Sequence, residues 1–233
     1  MQQLALDIGL AVVPNFDNFC VGANLQAVQH LRLAVSGADE DDHAPTRPPT
    51  YLWGEAGAGK THLLASVRAV FAARGCSVGW LDATSAEPPA EFDEGWSALL
   101  LDDVDRFDAV RQQAAFNWFV NAQTQRRWVL AAGTWPVADL TLREDLRTRL
   151  GWGHVFALQL LGDHDRRIVL QTRAHARGMH LGDDVIEFML RRFSRDLGSL
   201  LDLLDRLDRF SLRTARPITV PLLKTMLESD DKR

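Results

Sequence analysis

Between residues 50 and 160, short uninterrupted apolar runs alternate with longer stretches whose apolar positions recur every three or four residues. Tyr51-Leu52-Trp53, Ser77 to Leu81, Ala98 to Leu101, Trp128 to Ala132 and His154 to Leu158 read as buried strands, and 62–74, 109–125 and Leu140 to Leu150 as helices. Strands that alternate with helices predict a parallel sheet covered on both faces. Upstream, Val28, Leu31, Leu33 and Val35 mark Leu25 to Val35 as an amphipathic helix. Ser36 to Thr50 is acidic, proline-rich and free of large apolar residues, the composition of a mobile loop. Beyond Leu161 only helical spacing remains, over Asp163 to Arg177, Asp183 to Phe193, Asp196 to Arg213 and Pro221 to Glu228, with Asp163 and Asp183 in place to cap their helices. The pattern predicts an α/β domain over 13–160 and a small all-helical domain over 161–233, preceded by a tail over 1–12.

One segment carries chemistry by itself. Gly54-Glu55-Ala56-Gly57-Ala58-Gly59-Lys60-Thr61 fills the phosphate-loop pattern G-x-x-x-x-G-K-[ST] without a mismatch, directly between the first strand and a helix. Glycines let the backbone turn its N–H groups around phosphates, and the helix starting near Lys60 aims its positive end at the same anion. Lys60 supplies a charge and Thr61 a hydroxyl for Mg²⁺. About 40 residues on, Ala98-Leu99-Leu100-Leu101 ends in Asp102-Asp103. Asp102 is expected to hold Mg²⁺ through water, and Asp103 stands where many hydrolases polarise the attacking water.

Composition narrows the partners. A net charge of -5 argues against a chain whose main task is coating nucleic acid, although all but three of its 26 basic residues are arginine. Those arginines fall mostly on polar helix faces and read as solvated, with a minority at a subunit interface. The two cysteines, Cys20 and Cys76, are too few for a disulfide scaffold or a zinc site. His62, His154, His164, His175 and His180 show no metal-ligand spacing. With no signal-like N-terminus and no long apolar run, a cytoplasmic protein without a membrane partner is expected. Trp53 and Trp152 are expected to pack beside the nucleotide site.

Phosphate loop, Asp-Asp strand and helical lid together resemble an AAA+ ATPase, and three further stretches resemble its DnaA-like branch. Phe16-Asp17-Asn18-Phe19-Cys20-Val21-Gly22-Ala23-Asn24 is similar to the segment that closes over the adenine there. Arg147-Thr148-Arg149-Leu150-Gly151-Trp152-Gly153 is similar to the segment with the arginine finger, and Ser194-Arg195-Asp196-Leu197 to the lid segment whose arginine reaches the nucleotide. The resemblance implies ADP or ATP with Mg²⁺ at Gly54, Gly57, Gly59, Lys60, Thr61, His62, Phe19, Val21 and Arg195, with the metal at Thr61 and Asp102. It assigns Asp103 to catalysis and Arg149 to a neighbouring subunit's nucleotide. One departure is visible: the strand Trp128 to Ala132 runs into Gly133-Thr134-Trp135-Pro136, where that branch usually has an aspartate, so self-hydrolysis is expected to be weak.

The chain ends soon after the lid, with no helix-turn-helix domain, and is therefore expected to be a stand-alone AAA+ core without sequence-specific DNA binding. That description is similar to the Hda group of DnaA-related regulators. Gln3-Leu4-Ala5-Leu6-Asp7-Ile8 resembles the short motif with which that group docks on the bacterial sliding clamp. Leu4, Leu6 and Ile8 would fill an apolar pocket and the Gln3 amide would bond at its rim. The implied partners are the DnaA initiator and the DNA polymerase III sliding clamp, with self-association left open. The implied activity is stimulation of initiator-bound ATP hydrolysis, which restrains re-initiation of replication. A DNA-dependent scaffold or helicase-loading ATPase has the same core and stands as the alternative.

Overall fold

The computed structural model describes residues 13–36, 47–84, 91–193 and 196–230. Five strands, β1 (Thr50–Trp53), β2 (Ser77–Leu81), β3 (Trp96–Leu101), β4 (Trp128–Gly133) and β5 (His154–Ala157), pair in parallel in the order β2-β3-β4-β1-β5. The middle strands are buried at nearly every position, because helical crossovers cover both faces of a parallel sheet. Pleating sends neighbours to opposite sides. Leu100 and Leu130 join α1 (Leu25–Ser36) and α2 (Lys60–Ala73), whereas Leu99, Leu101 and Val129 join α3 (Ala109–Thr124) and α4 (Glu144–Leu150).

A third core belongs to the C-terminal helices α5 (Asp163–Ala176), α6 (Asp183–Arg192), α7 (Leu197–Thr214) and α8 (Val220–Asp230). Leu170, Ile186, Met189, Leu200, Leu204 and Leu223 pack there, fully enclosed. Leu200, Leu203, Leu204 and Leu207 form the inward stripe of α7, at the three- and four-residue spacing of a helix face.

Three expectations change. Helix α4 begins at Glu144 rather than Leu140, since Leu140 and Arg143 have non-helical backbone and a 3₁₀ turn precedes them at Val137–Asp139. Leu140 and Leu142 still enter the core, as alternate residues of a non-helical segment. Leu33 is 75% exposed, because Val28, Leu31 and Val35 already define the inward face of α1 and Leu33 falls off it. Gly162 and Gly182, not Asp163 and Asp183, cap α5 and α6. The aspartates take the first helical position instead, where a carboxylate still meets the positive helix end.

Candidate nucleotide site and a remote arginine

The loop after β1 turns through two left-handed glycines, Gly57 at φ 83° and Gly59 at φ 92°. Both are closely covered. A Cβ on Gly59 would lie 2.5 Å from the Phe19 ring, and one on Gly57 would lie 2.3 Å from Asp196 Oδ1. Side chains at these positions would therefore meet both backbone strain and a wall. Gly59 precedes the first turn of α2 and gives it no side-chain cap, so amides at that helix end are left for an anion.

Lys60 is 6% exposed and its Nζ donates to the carbonyls of Gly54 at 2.7 Å and Glu55 at 3.0 Å. An ammonium has three donors, so one remains for a ligand oxygen. Burial pushes the Lys60 pKa down, against the opposing charges of Asp103, Asp105 and Asp102. Asp102, at the end of β3, is bonded to the Thr61 hydroxyl and accepts the Asp103 amide at 3.1 Å. Burial raises its pKa above the usual carboxylate value, with the Thr61 bond working the other way. Asp103 sits in the left-handed region at φ 51°, 3.5 Å from Arg106 Nη1. Strained backbone of this kind clusters at functional turns.

These groups open onto a cavity of about 400 Å³. The phosphate loop and Asp103 form one wall, Phe19 and His62 another, and Leu161, Val169, Leu197 and Leu201 an apolar roof from the helical domain. Phe19 and His62 rings lie 5.4 Å apart, and the His62 ring is 3.1 Å from the Asn15 carbonyl. Asn24 locks the lead-in segment, exchanging bonds of 2.9 and 2.7 Å with the Gln159 backbone. Charged cradle, apolar roof and aromatic edge suit a nucleoside phosphate, and a Thr61–Asp102 pair suits Mg²⁺, which takes few protein ligands beside phosphate.

The structure brings Phe19, Gly57, Gly59, Lys60, Thr61, His62 and Asp103 to this cavity. Gly54 and Asp102 stand behind it, through Lys60 and Thr61 respectively, and Val21 packs against the core without lining the cavity. Arg195, Gln3, Leu4, Leu6 and Ile8 lie outside the described residues. Trp53 and Trp152 do not line the cavity. Trp53 turns toward the α3 and α4 face of the sheet, and Trp152, 55% exposed, stands beside Arg149. Asp105 was not singled out by sequence; Asn24 and Asp196 stand in stretches that were, but what they reach, Gln159 and Gly57, lies far along the chain. Arg149 does not line this cavity; it lines a separate concavity of about 580 Å³ with Arg143, Asp145, Thr148 and Trp152.

Sequence models of known families meet the chain at both ends. That of the Hda lid domain matches residues 163–227, and that of the bacterial DnaA ATPase domain matches residues 11–84. The chain is an Hda-like, DnaA-related AAA+ protein. Domain III of the Thermotoga maritima replication initiation protein DnaA is similar over 98% of both chains, at 18% identity and a TM-score of 0.75. AMPPCP-bound DnaA from Aquifex aeolicus is similar over 85% of this chain and 66% of that one, at 19% identity and a TM-score of 0.67. The Thermotoga maritima RuvB Holliday junction branch migration motor is similar over 93% of this chain and 72% of that one, at 15% identity and a TM-score of 0.67. At such identities these neighbours establish the fold, an AAA+ α/β domain with a helical lid. Among the described residues no helix of this Hda-like chain is long and apolar enough to cross a membrane.

Proposed function

We propose that the chain is a nucleotide-bound, clamp-tethered AAA+ regulator that promotes hydrolysis of ATP on the DnaA initiator and so limits re-initiation of replication. The observation that carries this reading is the separation of Arg149 from its own phosphate loop: the two lie in concavities that share no lining residue. A guanidinium so placed serves a neighbour's nucleotide rather than its own.

In this reading residues 13–160 bind ADP or ATP, 161–233 form the lid, and 1–12 carry the clamp motif. Lys60 and the loop amides hold phosphate, Phe19 and His62 border the base, and Thr61 with Asp102 would hold Mg²⁺. The ion, when bound, neutralises phosphate charge. Support for nucleotide binding comes from the cradle geometry and from DnaA neighbours solved with AMPPCP. A DnaA neighbour solved with single-stranded DNA keeps a second reading alive, a DNA-dependent scaffold or helicase-loading ATPase. A cytoplasmic setting accords with both readings.

The test is single-turnover hydrolysis of DnaA-bound ATP with sliding clamp loaded on DNA. Wild type accelerates it and Arg149→Ala loses ~10³-fold or more of that acceleration, the lower end for an arginine finger. Arg147→Ala, two residues away, retains it. If Arg149→Ala accelerates as well as wild type, activation in trans is wrong. ATP hydrolysis by the chain itself, stimulated by single-stranded DNA, would favour the second reading.

A further inference from the structure

Arg149 is held in an unusual way. Among the described residues its side chain makes no hydrogen bond or ion pair, and its Nε is buried without a partner. It lies instead over two aromatic rings, its Cζ 4.7 Å from the Trp152 ring centroid and 5.2 Å from that of Phe116. Phe116 carries a second guanidinium, Arg143, at 4.8 Å.

The acid that would compete for Arg149 is already engaged. Asp145 receives Arg143 Nε at 2.8 Å on Oδ1 and Arg143 Nη2 at 2.7 Å on Oδ2, and Oδ1 also accepts the Leu146 amide at 2.8 Å. Arg143 is fixed further by Gln113, whose side-chain oxygen accepts its Nη1. This fork-to-fork pair takes up Asp145.

The distinction matters chemically. A carboxylate partner would occupy the in-plane N–H donors of a guanidinium, which are the donors a phosphoryl group needs. A ring face attracts the cation through its quadrupole and leaves the edge free. We propose that Trp152 and Phe116 form an aromatic clip that positions Arg149, holding it extended and uncommitted for a phosphoryl group on a neighbouring molecule. This rests on the reading of Arg149 as a trans-acting finger. Trp152 and Phe116 are positioning residues in this scheme. Removing a wall lets the arginine sample other rotamers, or fold onto Asp145 and the exposed Glu144, and displacement of a catalytic group by about 1 Å can cost ~10²-fold in rate.

The same stimulated-hydrolysis assay, run over a range of activator concentrations, tests the clip. Trp152 lies at the surface, so Trp152→Ala is expected to melt near the wild-type temperature. The rate at saturating activator should fall about 10- to 100-fold, with the half-saturating concentration nearly unchanged. Trp152→Phe, which restores a face, should recover most of it, and Phe116→Tyr, which keeps one, should stay near the wild-type rate. A second readout is independent of activity: the Arg149 side-chain Nε–H resonance should carry a ring-current shift that Trp152→Ala removes. If Trp152→Ala instead raises the half-saturating concentration and leaves the saturating rate intact, Trp152 is a docking residue and the clip is wrong. If Trp152→Ala matches wild type while Arg149→Ala is inactive, the clip fails and the finger stands; if both match wild type, the finger reading itself has failed.

Discussion

Asp105 accepts the backbone N–H of Thr134 at 2.7 Å, joining the turn after β3 to the end of β4. The same carboxylate lies 2.8 Å from where a Cβ on Gly133 would stand, and the Tyr51 hydroxyl lies 2.5 Å from that point. DnaA-like chains usually carry an aspartate on the strand end itself. Here the strand end is bare and a carboxylate reaches beside it from the neighbouring turn, close enough to act on the charge of Lys60. Tyr51, whose hydroxyl donates to the Trp135 carbonyl at 2.7 Å, has its pKa pushed up by burial and by Asp105.

Asp105→Ala should therefore loosen the 133–136 segment. A hydrogen bond to a charged group is worth about 1.5–3 kcal/mol, which in a chain of this size is roughly 3–12 °C in Tm. Asp105→Asn keeps an acceptor and should lose less. Calorimetric melting of the three proteins checks the order, and equal melting temperatures would mean that the bond contributes nothing.

Lys60 gives opposite signs for binding and stability. Its ammonium is buried on two carbonyls, and burial is the main influence lowering its pKa. Ordinary buried charges cost free energy until an anion meets them. Lys60→Met should melt at or above the wild-type temperature without nucleotide, yet show no thermal shift with ADP or ATP. Wild type should gain about 2.7 kcal/mol at a ligand concentration near 100 times Kd. Retained micromolar binding by the variant would remove Lys60 from the site.

Legibility in the sequence followed sequence distance. The phosphate loop was readable because its glycines, Lys60 and Thr61 act within eight consecutive positions, and β3 was readable because a fully buried strand shows as an unbroken apolar run before Asp102. Asn24 with Gln159, Asp105 with Thr134, and Gly57 with Asp196 were not readable, since each pair is joined only when the sheet and lid assemble. Leu140 and Leu142 misled in the other direction. Buried leucines two apart, followed by Leu146 and Leu150, mimic one longer helix, and only the backbone reveals that the first two belong to a non-helical segment.

The N-terminal motif can be separated from the core by mutation. Replacing Gln3, Leu4 and Leu6 with alanine should abolish binding to purified sliding clamp, because a few buried anchors dominate a small interface. Nucleotide affinity and Tm should stay near wild type, as expected for a terminal tail. A clearly lower Tm would instead make the segment part of the folded core.

Asp196 links lid stability to the phosphate loop and gives a pH signature. It caps α7, its carboxylate accepting the Ser199 amide at 2.8 Å, the Gly198 amide at 3.3 Å and the Ser199 hydroxyl at 2.7 Å, while its Oδ1 covers Gly57. Burial works to raise its pKa, but the bonds from Ser199 and Gly198 outweigh that and leave it below the usual carboxylate value. A carboxyl with a depressed folded-state pKa contributes stability that is complete above its unfolded value and is lost as pH falls through the folded one. The cap should therefore be intact at neutral pH and fail in acid. Asp196→Ala should cost about 1 kcal/mol at pH 7, and the gap to wild type should close on acidification below the ordinary aspartate range. Asp196→Asn, which can cap without a charge, should retain most of the stability and lose the pH dependence of that gap. Melting curves of the three proteins from neutral to acid pH decide it: a wild-type advantage over Asp196→Ala that does not shrink in acid would mean that the carboxylate charge plays no part in the cap.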